Sequence, residues 1–235
     1  MLRAVIFDFN GVIVDDERLH LQAFQQILRQ EGISLTEADY YARYLGMDDR
    51  GCFRAAHRTA RRDLDDTRLE HLIERKAVYY RSLIDHGVVM FPGVTRAVSN
   101  LSSAYPLAIA SGALRQEIDR ILEKCALTRF FRVIVSAEDV REGKPEPQIF
   151  LRALELLNRQ QKDSKILAAQ CLVIEDSREG ILAAKRAGMK CLAVAHSYPA
   201  SELEGADAVV ESIERVDLSL IDRFFPERVR PPSRP

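Results

Sequence analysis

Ala4-Val5-Ile6-Phe7-Asp8-Phe9-Asn10-Gly11-Val12 is the stretch on which the fold turns. Its opening apolar run, rich in branched side chains, predicts a buried strand over residues 2–7. The run ends on a carboxylate, which is costly to bury unless it is paired or bound to a metal. Alternate strand residues share a face, so Asp8 and Asn10 can both look into whatever lies beyond the strand's end. Gly11 suits a chain that turns sharply there or lets another group come close.

Downstream, Asp15, Asp16 and Glu17 are acids suited to a helix N-terminus. Leu21, Phe24, Ile27 and Leu28 then keep a helical period that Gly32 stops. Thr36-Glu37-Ala38 starts another helix, and Gly46-Met47-Asp48-Asp49 breaks and restarts the pattern. Leu69, Leu72, Ile73, Ala77, Tyr80, Leu83 and Ile84 mark one long amphipathic helix. Residues 15–87 thus read as an all-helical insert. From residue 88 the pattern changes: Leu107-Ala108-Ile109-Ala110, Val133-Ile134-Val135, Leu172-Val173-Ile174, Cys191-Leu192-Ala193-Val194 and Ala208-Val209-Val210 are strands separated by helical periods. Strands alternating with helices argue for an α/β parallel sheet covered on both faces. The expected division is a core of 1–14 and 88–225, a helical cap of 15–87, and a frayed tail of 226–235, which holds four prolines.

The 235 residues suffice for one large α/β unit with a smaller one inserted. Lys plus Arg number 34 and Asp plus Glu 35, a balance that speaks against a general nucleic-acid-binding role. No apolar run reaches membrane-spanning length, and the N-terminus carries no signal-peptide anatomy. Cys52, Cys125, Cys171 and Cys191 form no CxxC pair and read as reduced thiols. The expectation is a cytoplasmic protein, a monomer or weak homodimer, whose partner is a small molecule.

Ligands of open parallel sheets bind beyond the carboxyl ends of the strands. Asp8 follows the first strand, Ser111 the second and Glu175-Asp176 the fourth, while Lys144 lies in the loop after the third, in Gly143-Lys144-Pro145. Each has a plainer role open to it. Ser111 or Asp176 can cap the helix that follows, and Lys144 can be a solvated loop lysine. Together they are the parts for phosphoryl transfer: acids for a divalent cation, a lysine against phosphate charge, and a hydroxyl with backbone N–H groups around its oxygens.

In this arrangement the chain resembles the haloacid dehalogenase superfamily of phosphatases and phosphotransferases. Asp8-Phe9-Asn10-Gly11-Val12 is similar to its first motif, normally Asp-x-Asp-Gly; Ser111-Gly112 resembles the second, Lys144-Pro145 the third, and Glu175-Asp176-Ser177 with Gly180 and Ala184 the fourth. The insert is similar to the cap of the subgroup that contains phosphoglycolate phosphatases and β-phosphoglucomutases. The resemblance implies a Rossmann-like, doubly wound core with a mobile cap, and an aspartyl-phosphate on Asp8. It implies Mg²⁺ held by Asp8, the backbone carbonyl of Asn10, Asp176, and Glu175 directly or through water. Ser111, Gly112 and Lys144 would hold the transferring phosphoryl group. From the cap, His20, Arg50 (near where mutase-like caps place an arginine on a distal phosphate) and Lys76 are candidates for substrate contact.

Asn10 stands where phosphatases of the family have a second acid that protonates the leaving oxygen and later activates water. An amide cannot exchange a proton in this pH range, and a positioned general acid–base typically contributes ~10²–10⁴-fold. Three accounts follow. The natural enzyme takes an activated substrate, such as an acyl phosphate or sugar 1-phosphate, or borrows Asp15 or His20. Alternatively, the chain is an engineered variant that traps a complex. Or it is an impaired member that binds phosphorylated ligands without turnover. His57, Arg58, Arg61 and Arg62 read as a solvated helix face, with attraction of an anionic substrate as the sharper alternative. The leading expectation is a Mg²⁺-dependent phosphatase of a small phosphorylated metabolite, with a β-phosphoglucomutase-like phosphotransferase next and haloalkanoate dehalogenation a distant third.

Overall fold

The computed structural model describes residues 1–87, 89–161 and 164–224, so the expected tail and the boundary residue Val88 lie outside the described residues. Among the described residues one sheet is present, of six parallel strands: β1 (Ala4–Phe7), β2 (Leu107–Ala110), β3 (Phe131–Val135), β4 (Cys171–Glu175), β5 (Lys190–Val194) and β6 (Ala208–Val210). Their order is β3-β2-β1-β4-β5-β6. The direction of winding reverses around β1, so the crevice between the loops of neighbouring strands opens at its carboxyl end. All four β1 residues are buried, with Ile6 between Ala108 and Val173.

The pleat sorts side chains by parity. Val5 and Phe7, with Leu107, Ile109 and Ile174, pack against α5 (Val94–Ser102) and α6 (Arg115–Lys124). Ala4 and Ile6, with Ala108, Val133 and Val173, pack against α7 (Gln148–Arg159) and α8 (Arg178–Arg186). Each face of the sheet is therefore sealed by helices, as near-continuous apolar strands require. A terminal helix, α9, spans Leu218–Phe224. It was not expected from the sequence.

Between β1 and α5 every element is helical: α1 (Glu17–Gln30), α2 (Glu37–Arg43), α3 (Asp49–Thr59) and α4 (Asp66–His86). They bury a cluster of their own that includes Phe24, Leu28, Tyr40, Phe53, Leu69 and Leu72. The last turns of α4 contribute Tyr80 and Ile84 to the sheet's core instead. The two chain crossings lie side by side, where Val14 bridges antiparallel to Met90 and the Asp15 N–H donates to the Val89 carbonyl at 2.8 Å. Strand and helix edges differ from the sequence reading by a few residues: β1 begins at Ala4, and β3, β4 and β5 start one or two residues earlier than expected. Among the described residues no helix is long and apolar enough to cross a membrane.

Candidate active site

The carboxyl end of β1 is held by backbone. The Asp8 N–H donates to the Ile174 carbonyl at 2.9 Å, and the chain then folds back so that Gly11 N–H meets the Val14 carbonyl at 2.9 Å. Gly11 has φ +76°, and a Cβ there would fall 1.9 Å from an Asp176 carboxylate oxygen, so only glycine lets the two loops meet. A Cβ on Gly180 would likewise strike Glu175, which explains glycine in the first turn of α8. The cap of α8 is Ser177, whose hydroxyl accepts from the Gly180 N–H at 3.1 Å. The alternative capping role for Asp176 is thereby corrected: its side chain turns to the cleft. Ser111 does not cap α6 either, since that helix starts at Arg115. Its hydroxyl accepts from the Ala113 N–H at 3.1 Å and donates to Asn10 Oδ1 at 3.3 Å.

Asp8, Asn10, Ser111, Gly112, Lys144 and Asp176 line one cavity of about 570 Å³. Lys144, next to a cis bond to Pro145, reaches Asp8 Oδ1 at 2.7 Å and also pairs with Glu175 Oε1. The other Glu175 oxygen accepts from Asp176 N–H, Ser177 N–H and the Ser177 hydroxyl, each at 2.9 Å. Glu175 is so fully engaged by protein donors that it supplies charge and orientation more readily than an open oxygen. Burial, with Glu175 adding to it against the pull of Lys144, lifts the Asp8 carboxyl to about 7. Burial and then the Glu175 charge push Asp176 well above the usual carboxylate range. Lys144 is carried upward, burial being outweighed by Asp8 and Glu175.

Oxygens of Asp8, Glu175 and Asp176 lie within 4.8 Å of one another. Three buried acids against a single lysine leave an excess of negative charge, and hard oxygen donors suit Mg²⁺ or a similar cation. On both counts the residues fit a divalent cation.

Behind the cavity wall, Asn10 is fixed at both ends. Its Nδ2 donates to Asp16 Oδ2 at 2.7 Å, which turns Oδ1 towards Ser111. Asp16 is 1% exposed and also accepts from the Tyr80 hydroxyl, whereas Asp15 is exposed. Of the two acids next to each other, the structure brings Asp16 and not Asp15 to Asn10. His20 lines the cavity, stacks on Tyr80 at 4.3 Å between centroids, and has Nε2 3.4 Å from Asp16 Oδ2. Lys76 is fully buried, donating to Asp49 Oδ1 at 2.7 Å and facing His20 Nδ1 at 2.8 Å. It is not part of the cavity wall, so it stands behind His20 and not against a substrate. Arg50 does line the cavity, paired with Glu70.

The basic cluster stays away, and it is not one helix face: α3 ends at Thr59, so only His57 and Arg58 lie on it, while Arg61 and Arg62 follow in the turn. None of His57, Arg58, Arg61 and Arg62 lines this cavity, and His57 is buried while the three arginines are exposed. Sequence reasoning missed Glu17, a wall residue held by the Tyr40 hydroxyl, and the loop after β5 that brings Ser197 and Tyr198 to the wall. The strand-end rule that located Asp8 and Ser111 applies equally after Val194, and would have found the second pair.

The model of haloacid dehalogenase-like hydrolases matches residues 5–194. A chloroplastic 5-amino-6-(5-phospho-D-ribitylamino)uracil phosphatase of Arabidopsis thaliana is 30% identical over 221 residues, 92% of this chain and 56% of that longer one, so the chain spans little more than half of it. A phosphorylated carbohydrates phosphatase of Thermotoga maritima is 31% identical over 199 residues, covering 83% of this chain and 87% of its own. The solved β-phosphoglucomutase of Clostridium difficile superposes with a TM-score of 0.84 at 23% identity, covering 96% and 98% of the two chains, which supports the fold. With the family match spanning β1 to β5 and the inserted helices, this chain belongs to the haloacid dehalogenase-like hydrolases.

Proposed function

We propose that the chain is a phosphatase of a small phosphorylated metabolite and that the phosphoryl group passes through Asp8. The observation that carries this reading is the position of Asp8: a buried carboxylate at the end of the central strand, 2.7 Å from Lys144 and beside Glu175 and Asp176. A carboxylate oxygen of Asp8 attacks phosphorus in line, the bond from phosphorus to the leaving oxygen breaks, that oxygen departs as an anion protonated by solvent, and an aspartyl-phosphate remains. Water then attacks that phosphorus, inorganic phosphate departs and the Asp8 carboxylate is restored. Splitting one displacement into two in this way lowers each barrier. Asp8, the Asn10 backbone carbonyl and Asp176 would hold Mg²⁺, with Glu175 acting through water or through its charge. When bound, that ion neutralises charge on the phosphoryl oxygens. Ser111, the Gly112 backbone and Lys144 orient the same oxygens, and the helices of residues 15–87 close the cavity against water.

Asn10 shapes which substrates react. With Nδ2 engaged by Asp16, it presents Oδ1 to the cavity side, an acceptor for a substrate hydroxyl or water and not a proton donor. Esters with good leaving groups, such as acyl phosphates and sugar 1-phosphates, are accordingly favoured over simple alkyl phosphates.

The test is a phosphometabolite screen with Mg²⁺ on this chain, with acid-quench trapping of radiolabelled phosphate and Asp8→Asn as control. Release of inorganic phosphate with label on Asp8 supports the reading. A transfer that yields a sugar bisphosphate makes it a phosphotransferase instead, and tight ligand binding with neither label nor release makes it a non-catalytic binder.

A further inference from the structure

Three consecutive residues after β5, His196-Ser197-Tyr198, each touch a different part of the cleft. His196 Nδ1 meets the Gly11 carbonyl at 2.8 Å, and its Nε2 accepts from the Ile213 N–H at 3.2 Å. An acceptor at Nε2 leaves the ring proton on Nδ1, so His196 is the neutral tautomer donating to Gly11. Its ring stacks on Phe91 with centroids 3.9 Å apart. The Tyr198 hydroxyl donates to the Leu45 carbonyl at 3.1 Å, in the turn between α2 and α3, and its ring faces the Arg178 guanidinium at 5.1 Å. The residue between them is therefore anchored on both sides, and its hydroxyl donates to Asp176 Oδ2.

That oxygen is boxed in. A Cβ at Gly11 would lie 1.9 Å from Asp176 Oδ2 and 2.8 Å from Ser197 Oγ, so the nucleophile turn, the carboxylate and the serine pack without a gap. With Oδ2 held by the serine, the other oxygen of Asp176 is the freer one to stand with Asp8 towards a cation. A carboxylate beside a cation has two equivalent oxygens and a free torsion. A donor on one of them selects the rotamer, and outer partners of this kind typically change metal affinity 10–100-fold when removed.

We propose that Ser197 is a positioning residue for the divalent cation, holding Asp176 so that one oxygen is kept by the protein and the other is presented to the ion. This rests on the metal-dependent reading given above, and the experiment separates the two. Mn²⁺ binding to the full chain is titrated by electron paramagnetic resonance, without substrate, for the wild type and for Ser197→Ala, Ser197→Val and Ser197→Thr. Thermal unfolding of each cation-free protein checks that it is folded.

The expected result is a loss of affinity of about 10–100-fold for Ala and Val, with most of it retained by Thr, which keeps the hydroxyl at the volume of Val. Wild-type affinity in Ala and Val overturns the role of Ser197 and leaves the cation site standing. Thr binding as weakly as Val also overturns it, because volume and not the hydroxyl would then decide. A wild-type chain that binds no Mn²⁺ overturns the cation site and the inference together.

Discussion

Asn10→Asp is the substitution that bears most directly on how this cleft works, because the amide it removes donates to a buried carboxylate. Asn10 Nδ2 sits 2.7 Å from Asp16 Oδ2, and Asp16 is 1% exposed. Two ionised carboxylates at that distance repel by about 6 kcal/mol at an effective dielectric constant of about 20. Binding one proton from pH 7 to a carboxyl of ordinary affinity costs about 4 kcal/mol, the smaller of the two. The variant pair therefore takes up a proton, and the expected destabilisation at pH 7 is about 4 kcal/mol. The folded variant then binds one proton more than its unfolded chain, so its stability rises as pH falls. The deficit shrinks by about 1.4 kcal/mol per unit, to about 1 kcal/mol near pH 5. Urea unfolding of the wild type, Asn10→Asp, Asp16→Asn and the double variant at both pH values measures this as a coupling energy. The double variant moves the carboxylate from position 16 to position 10 and should recover most of the stability. In the phosphatase reading it should also raise turnover of an aryl phosphate by about 10²–10⁴-fold over the wild type. An Asn10→Asp protein within about 0.5 kcal/mol of the wild type at pH 7 would refute the reasoning, because so small a change is what an uncoupled surface site gives.

Lys76→Met strips the buried Asp49 contact of its cation, and loss of about 3–5 kcal/mol in chemical denaturation is expected. The double variant with Asp49→Leu should regain much of it, and an undiminished single variant would show the pair to be idle. Burial holds the His196 imidazole below its usual range, and its neutral form serves both Gly11 and Ile213. As pH falls from above the ordinary imidazole value of about 6.5 through this lowered one, the unfolded chain binds a proton that the folded chain resists, so stability declines. His196→Phe should flatten that part of the urea-midpoint curve between pH 7.5 and 5.

The sheet was legible because its strands are short apolar runs buried on both faces, and because polar residues stand where those runs end. β2 and β6 match the residues read from the sequence, and Asp8, Ser111, Lys144 and Asp176 meet in one cavity as the strand-end rule requires. Side-chain direction just past a strand was harder to read. Val14 bridges to Met90, so the extended path continues for one residue, sending Asp15 outward and Asp16 inward. A glance at the acidic run does not separate them. Lys76 was misjudged for a different reason. It lies four residues after Leu72 and four before Tyr80, on the same stripe of α4, and the period that marked those two as buried marks Lys76 as well. Ser197, three residues past the end of β5, was open to the same strand-end rule, but its contact with Asp176 appears only once the two loops are seen side by side.

The formal charges around the cleft fall into two groups with Asn10 between them. On the cavity side stand Asp8, Glu175 and Asp176 with Lys144, an excess of two negative charges that a divalent cation would cancel. On the buried side stand Asp16 and Asp49 with Lys76 and His20: Asp49 accepts from Lys76 and Asp16 from Tyr80, each through one oxygen, while the other oxygen of each acid is buried without a partner among the described residues. A carboxylate at residue 10 would face Asp16 at the distance the amide now spans, and would add a further negative charge beside the cavity acids. The amide adds none: it donates to the buried acid with one end and faces Ser111 with the other. Placing an acid at 16 and an amide at 10 thus keeps a further negative charge out of the back wall, and leaves the cavity an excess that a cation would cancel. The two positions have to be read as a pair, because either residue changed alone upsets a balance that the two hold together.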